Sequence, residues 1–411
     1  MRRVGLVLAM VVLVAGGAVS LRPIPSQGTS TVKGARAEAT PSTNVPTGGT
    51  GAPLASVTTT TTLQAPTTGV ALAPPDGKTS DQRRLSKVTT VTGGLTPKSV
   101  VASGTGVYFA QNMMYSHTVR VYDRSATLVK VISDTVRLSD FGFPQYQGEY
   151  QGAPVEMAFS PDRTKAYVSN YQMYGMGFTK PGTDDCNGKG NDDSFVYRVD
   201  VARLAIDQVI AVGAVPKYVA TTPDGRYVLV TNWCTFDLSV IDTAAGKEVK
   251  RIPLGRHPRG IVVDRASSKA WVAVMGSHDV AVVDLSNFSV GWIRNVGTNP
   301  RHLVLDPAER FLYVTLNGEG KVAKVDLRTG AVVKKVASGS QPRSMAISED
   351  GASLYVVNYE SDTVSKLRAS DLSVLEVIPV GHHPIGITYD PGNRQVWVSI
   401  YSGSLTVLQD E

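Results

Sequence analysis

The sequence predicts an all-β fold: a seven-bladed β-propeller built from four-stranded antiparallel blades. Three observations carry that expectation. Proline opens seven successive units, at Pro97, Pro154, Pro216, Pro258, Pro300, Pro342 and Pro384, and from Pro216 onward the openings recur every 42 residues. Each unit holds short runs rich in Val, Ile, Thr and Tyr bounded by Gly, Pro, Asp and Asn, which is strand composition with turn punctuation. A lone strand-like run at 85–92 precedes the first unit, and the last unit ends after three strands, near 405–408. A period of about 40 residues with four strands per unit is that of a propeller blade. Pairing the lone first run with the last unit closes the ring and removes two exposed sheet edges.

The stretch 216–255 is the clearest copy. Its first two strands are joined through Pro223-Asp224-Gly225, and the equivalent turns of other units carry Pro161-Asp162-Arg163 and Glu349-Asp350-Gly351. Asp123, Asp200, Asp242, Asp284 and Asp326 end the third strands and are expected to brace the next turns. Units one and two are less regular, with a long connection at 133–153 and an insertion at 172–194.

Ahead of the repeats the chain changes character. Residues 1–21 open with Arg2-Arg3, continue into an apolar run and end in small residues, with Ala18-Val19-Ser20 as a cleavage site. This reads as a signal peptide or a retained membrane anchor, and it is the chain's only expected membrane contact. No cysteine follows the run, which argues against a lipoprotein anchor. Residues 22–82 are rich in Thr, Pro, Gly, Ala and Ser and lack aromatics, which reads as a disordered linker, glycosylated or bare. The propeller is expected over 83–411. The formal charge of +6 misleads until it is located: six bases against two acids precede Asp81, leaving only +2 for the repeats. That removes the electrostatic case for a nucleic-acid partner.

The segments YVSNY (167–171), LVTNW (229–233), YVTLN (313–317) and YVVNY (355–359), with the Pro-Asp-Gly turns and Val-Gly-x-x-Pro joints, resemble the YVTN-repeat seven-bladed propellers. The resemblance spans about residues 85–411. It implies an exported surface or ligand-binding protein, with lactonases and lyases among related propellers. No catalytic set of those enzymes matches here.

With strands lettered a to d from the axis outward, the b–c loops and the joints between blades emerge at one end. His117 and His278 fall in b–c loops, and His257, His302, His382 and His383 in joints. The residue after the opening proline is basic in five units, Lys98, Lys217, Arg259, Arg301 and Arg343, and is expected to ring one mouth of the central channel. The long connection brings Phe141, Phe143, Tyr146 and Tyr150 to this end. The insertion brings Tyr171, Met173, Tyr174, Met176 and Phe178, beside Met113, Met114, Tyr115 and, in blade three, Trp233. These form either a lid beside the mouth or an added hydrophobic cap. Cys186 and Cys234 lie in adjacent blades at the same end and are expected to form a disulfide.

The expected ligand set is thus Lys98, Lys217, Arg259, Arg301, Arg343, His257, Tyr171, Tyr174 and Trp233, serving an anionic small molecule, a glycan or another surface protein, in a monomer. The alternative is a hydrolase or lyase with His278 or His302 as base. No metal is expected, since His257 and His382-His383 lie several blades apart. Asp184, Asp185, Asn187, Asn191, Asp192 and Asp193 hint at calcium, but Lys189 takes the place of an oxygen ligand.

Overall fold

A computed structural model describes residues 77–186 and 190–411. The expected leader and most of the linker lie outside the described residues, as do Asn187 and Lys189 of the acidic run. Residues 83–411 form seven four-stranded antiparallel sheets. Their innermost strands are Pro97–Ala102, Pro154–Phe159, Pro216–Thr221, Pro258–Val263, Pro300–Leu305, Pro342–Ile347 and Pro384–Asp390. Each touches the innermost strand of the blade on either side, so the ring is closed. Among the described residues no helix is long and apolar enough to cross a membrane.

Burial explains the strand sequences. Second strands such as Tyr227–Asn232 and Ser353–Asn358 are buried along their whole length, so their apolar character is continuous and not alternating. Outer strands such as Ala331–Ala337 are exposed at most positions and carry lysines. The core lies between blades: Leu229, Leu238 and Val240 of blade three pack against Val272, Ala281 and Val283 of blade four. The close approach of adjacent innermost strands needs glycine at one height. A Cβ on Gly260 would lie 2.8 Å from the Arg301 carbonyl oxygen and 2.9 Å from the His302 Cα.

The aspartates do what their spacing implies. Asp224 accepts the Arg226 N–H at 3.0 Å and Asp162 the Thr164 N–H at 3.1 Å. At the c–d turns Asp123, Asp200, Asp242, Asp284 and Asp326 each accept a backbone N–H from two or three residues on.

The long connection does not roof the channel. Thr135–Val136 pairs with Tyr150–Gln151, and Phe141, Phe143, Tyr146, Tyr150, Met173 and Phe178 pack with Phe195, Tyr197 and Val209 on the outer strands of blade two. Tyr146 and Phe178 stack at 5.1 Å. These rings form the cap and leave the mouth uncovered, because they bury most apolar area against the flank of the sheet.

In the seventh blade, Leu85–Val91 supplies the outermost strand, antiparallel to Ser404–Asp410 with Leu85 opposite Asp410. A buried polar knot fastens it to blade six. The Lys366 ammonium donates to Asp410 and, at 2.9 Å, to the Arg83 carbonyl, while the Tyr355 hydroxyl donates to Asp410 at 2.7 Å. Both charged side chains are fully buried. Lys366→Ala leaves the Asp410 carboxylate buried without its ammonium and is expected to cost about 3–5 kcal/mol of unfolding free energy in a denaturant titration. An unchanged midpoint would show that the knot contributes nothing to closure.

Candidate functional site

The ring geometry turns two positions of the repeat into two concentric shells at one mouth. The inner shell is the residue after the opening proline: Lys98, Lys217, Arg259, Arg301 and Arg343, interrupted by Val155 and Ile385. These five bases act on one another electrostatically. Burial, and then the neighbouring cations, push Lys98 and Arg301 well below their ordinary values, and burial and then Arg343 bring Arg259 down to about 10.

The outer shell is the residue that follows the second strand: Met113, Tyr171, Trp233, Met275, Asn317, Tyr359 and Tyr401. It props up the inner one. The Lys98 ammonium lies 4.9 Å from the Tyr401 ring centre, and Lys217 lies 4.3 Å from Tyr171 and 5.2 Å from Trp233. The Arg343 guanidinium stacks 3.5 Å over Tyr359, and Arg301 Nη1 meets the Met275 sulfur at 3.7 Å. Stacking on ring faces orients a cation while using few of its N–H donors. Arg301 is only 7 % exposed, and its Nε and that of Arg343 are buried without a hydrogen-bond partner.

One carboxylate faces all five bases, Asp184 of the blade-two insertion. Its Oδ1 lies 2.5 Å from Lys217 Nζ and accepts the Tyr171 hydroxyl at 3.1 Å. Its carbonyl accepts the Trp233 indole N–H at 2.9 Å. The protein packed around it opposes its ionisation even though its side chain stays largely exposed, yet the Lys217 ammonium holds it well below the usual carboxylate range. Cys186, two residues on, is disulfide-bonded to Cys234, beside Trp233.

One residue further into the channel lies a second layer: Ser99, Glu156, Tyr218, Gly260, His302, Ser344 and Gly386. It heads a cavity of about 540 Å³ that runs to Asp306, Glu309 and Glu349 at the opposite mouth. The Tyr218 hydroxyl and His302 Nε2 are 3.0 Å apart, and His302 Nδ1 is buried without a partner. Burial, then Arg259 and Arg301, push His302 down to about 3, so it is neutral at pH 7. Burial raises Glu156 to about 7 against the pull of Arg259.

Of the residues expected from sequence, the five bases, Tyr171 and Trp233 come together, and His257 stacks on Trp233 at 4.2 Å. His302 belongs to the channel wall and not to the rim. Tyr174 is drawn away, exposed and set against His117 at 4.9 Å. His278 is exposed on the rim, its carbonyl accepting the Val296 and Gly297 N–H groups. The described carboxylates of the acidic run point to separate partners. Asp184 serves Lys217, Asp192 accepts the Lys180 N–H at 2.7 Å, and Asp193 pairs with Arg251 at 3.4 Å. Among the described residues no three His, Cys, Asp or Glu side chains converge as a metal site. Sequence reasoning missed Tyr359, Tyr401, Met275 and Asp184 as site residues. The aromatic that ends YVSNY, LVTNW and YVVNY was the available signal for the first two.

Residues 270–402 match the cytochrome D1 heme domain family, less than half of the chain. The chain is 28% identical over 130 residues to hydrazine synthase subunit beta of Kuenenia stuttgartiensis, an alignment covering 26% of this chain and 33% of that protein. It therefore spans about a third of that relative's length. Among solved structures, Kuenenia stuttgartiensis hydrazine synthase superposes with a TM-score of 0.61 at 18% identity, over 77% of this chain and 96% of that one. The WD40 β-propeller domain of Doa1 superposes with a TM-score of 0.61 at 14% identity, over 80% and 98%. These two likenesses are likenesses of fold.

A haem needs an axial ligand, which proteins supply from His, Cys, Met or Tyr side chains. The basic mouth suits the carboxylates of a tetrapyrrole, while its tyrosines are taken up by the cations: Tyr171 by Lys217, Tyr359 by Arg343 and Tyr401 by Lys98. The channel's imidazole, His302, lies a layer deeper with Nε2 at Tyr218, and the Met275 sulfur is set against Arg301. The described residues fit the acidic edge of such a group, and His257, stacked on Trp233 at the mouth, keeps a buried Nε2 with no hydrogen-bond partner; no chemistry is assigned to haem.

Glu156 gives a measurable pH signature. Between pH ~4.5 and about 7 the folded protein holds a proton that the unfolded chain releases, so this group's effect is to lower stability as pH rises through that window. Glu156→Gln is expected to match the parent at pH 4 and exceed it at pH 8 by on the order of 3 kcal/mol, read from unfolding midpoints. A constant difference across pH would refute the assignment.

Proposed function

We propose that this chain is an extracytoplasmic propeller of the YVTN-repeat kind that binds an anionic small molecule or acidic glycan at its b–c/d–a mouth. The observation that carries the reading is the convergence of five bases, of whose facing carboxylates among the described residues Asp184 alone acts on all five, with Arg301 buried and its Nε unpartnered. Gathering like charges in a partly dehydrated mouth is costly unless an anion completes it. The aromatic shell supplies flat faces for the apolar or sugar part of such a ligand. The Cys186–Cys234 disulfide and the leader-like first 21 residues support an oxidising, exported setting.

A second reading adds chemistry to the same grip. His302, neutral and hydrogen-bonded to Tyr218 beneath Arg259 and Arg301, has the place of a general base in a hydrolase or lyase, at a basicity that burial and those cations reduce. Replacement of His302 by Asn separates the two. Lost turnover of a lactone panel with retained binding supports the enzyme, and turnover by neither form supports a binding module.

Lys217→Ala, Arg259→Ala and Arg301→Ala together are expected to raise the Kd for citrate or an acidic oligosaccharide at least 100-fold in calorimetry, since each removes a charge-assisted contact of about 1.5–3 kcal/mol. Unchanged affinity would overturn the anion reading.

A further inference from the structure

The place of Asp184 goes a step beyond this reading and rests on it. The carboxylate belongs to an insertion that only blade two carries, so the repeat itself does not require it. Its side chain is 65% exposed, whereas Lys217, its partner, is 3% exposed. The ammonium is therefore reached from solvent at the point where the carboxylate sits. Three fastenings hold the carboxylate there: the Tyr171 hydroxyl at 3.1 Å, the Trp233 indole N–H on its own carbonyl at 2.9 Å, and the disulfide two residues on. The first two come from the outer aromatic shell, the same surfaces that flank Lys217 at 4.3 and 5.2 Å. An ammonium at the base of an aromatic nook, with a hydroxyl donor at its lip, is what recognition of a carboxylate requires.

We infer that Lys217, Tyr171 and Trp233 form a carboxylate subsite and that Asp184 is its tethered resident, with which a carboxylate of the ligand exchanges. The chemical class follows: an organic acid whose carboxylate lies next to a flat apolar or sugar face, with further acid groups for Arg259, Arg301 and Arg343. A tethered competitor acts at an effective concentration in the millimolar range for a short loop, so it lowers apparent affinity without changing the ligand's own contacts. It also shields the ring from single-charge ions that cannot match it. A multivalent acid anchors first on the guanidiniums and then displaces Asp184.

The test compares wild type, Asp184→Asn and the Cys186→Ser/Cys234→Ser double variant by calorimetry. Citrate is the carboxylate probe and pyrophosphate the second anion, at pH 5 and pH 6, both below the value of about 7 that Lys217 has with Asp184 beside it, because Asp184→Asn removes a charge and a hydrogen bond that hold Lys217 up. Circular dichroism and melting confirm that each variant is folded. Citrate is expected to bind Asp184→Asn at least tenfold more tightly than wild type. The double variant, with the tether loosened, is expected to fall between them, and pyrophosphate to gain less than citrate. Equal or weaker citrate binding by Asp184→Asn, with wild-type binding still abolished by the triple substitution of Lys217, Arg259 and Arg301, overturns this inference alone. Binding of neither probe by wild type or Asp184→Asn overturns the anion reading with it.

Discussion

Closure of seven innermost strands around one axis is the constraint from which the rest follows. Because each blade repeats the same path, a given position of the repeat returns at the same height and the same distance from the axis. A base one residue after the opening proline is an ordinary surface charge in a single blade. Repeated in five blades it becomes an inner shell of charge, and the residue after the second strand becomes the outer shell that carries it. Glycine at Gly260 and Gly386 lets neighbouring strands approach closely enough for those shells to face one channel. The Lys366–Asp410 knot is where the two ends of the chain sustain that closure.

Four of the five cations in the shell have a partner surface. Lys98, Lys217 and Arg343 lie over aromatic faces, Arg301 over a methionine sulfur, and Lys217 has Asp184. Stacking spends the faces of the cations and leaves their edges directed elsewhere. The counter-charge is delivered from outside the repeat, by an insertion pinned to the next blade through Cys186–Cys234. The disulfide thus bears on the electrostatics of the mouth as well as on the order of the loop.

The channel is also asymmetric along its axis. Five bases crown one end, the Glu156, Tyr218 and His302 layer lies beneath them, and Asp306, Glu309 and Glu349, with Arg265, line the other end. Solved propellers at 14% and 18% identity share the scaffold and leave such choices free. Function on this scaffold is argued from the side chains that a given chain places around the axis.

Period, turn residues and strand composition determined the seven blades without reference to any contact, because each is a local property that the ring merely repeats. The cationic ring and the cysteine pair were legible for the same reason: both follow from position within the repeat. The tertiary structure alone decided the rest. It sent Phe141, Phe143, Tyr146, Tyr150 and Phe178 to the flank of blade two, since an irregular insertion has no repeat to fix its direction. It placed His302 in the channel and not on the rim, a difference of one residue of height along a strand that alternates its side chains. It brought Asp184 onto Lys217 across 33 residues of chain, a contact that rests on where a loop folds back and leaves no periodic mark in the sequence.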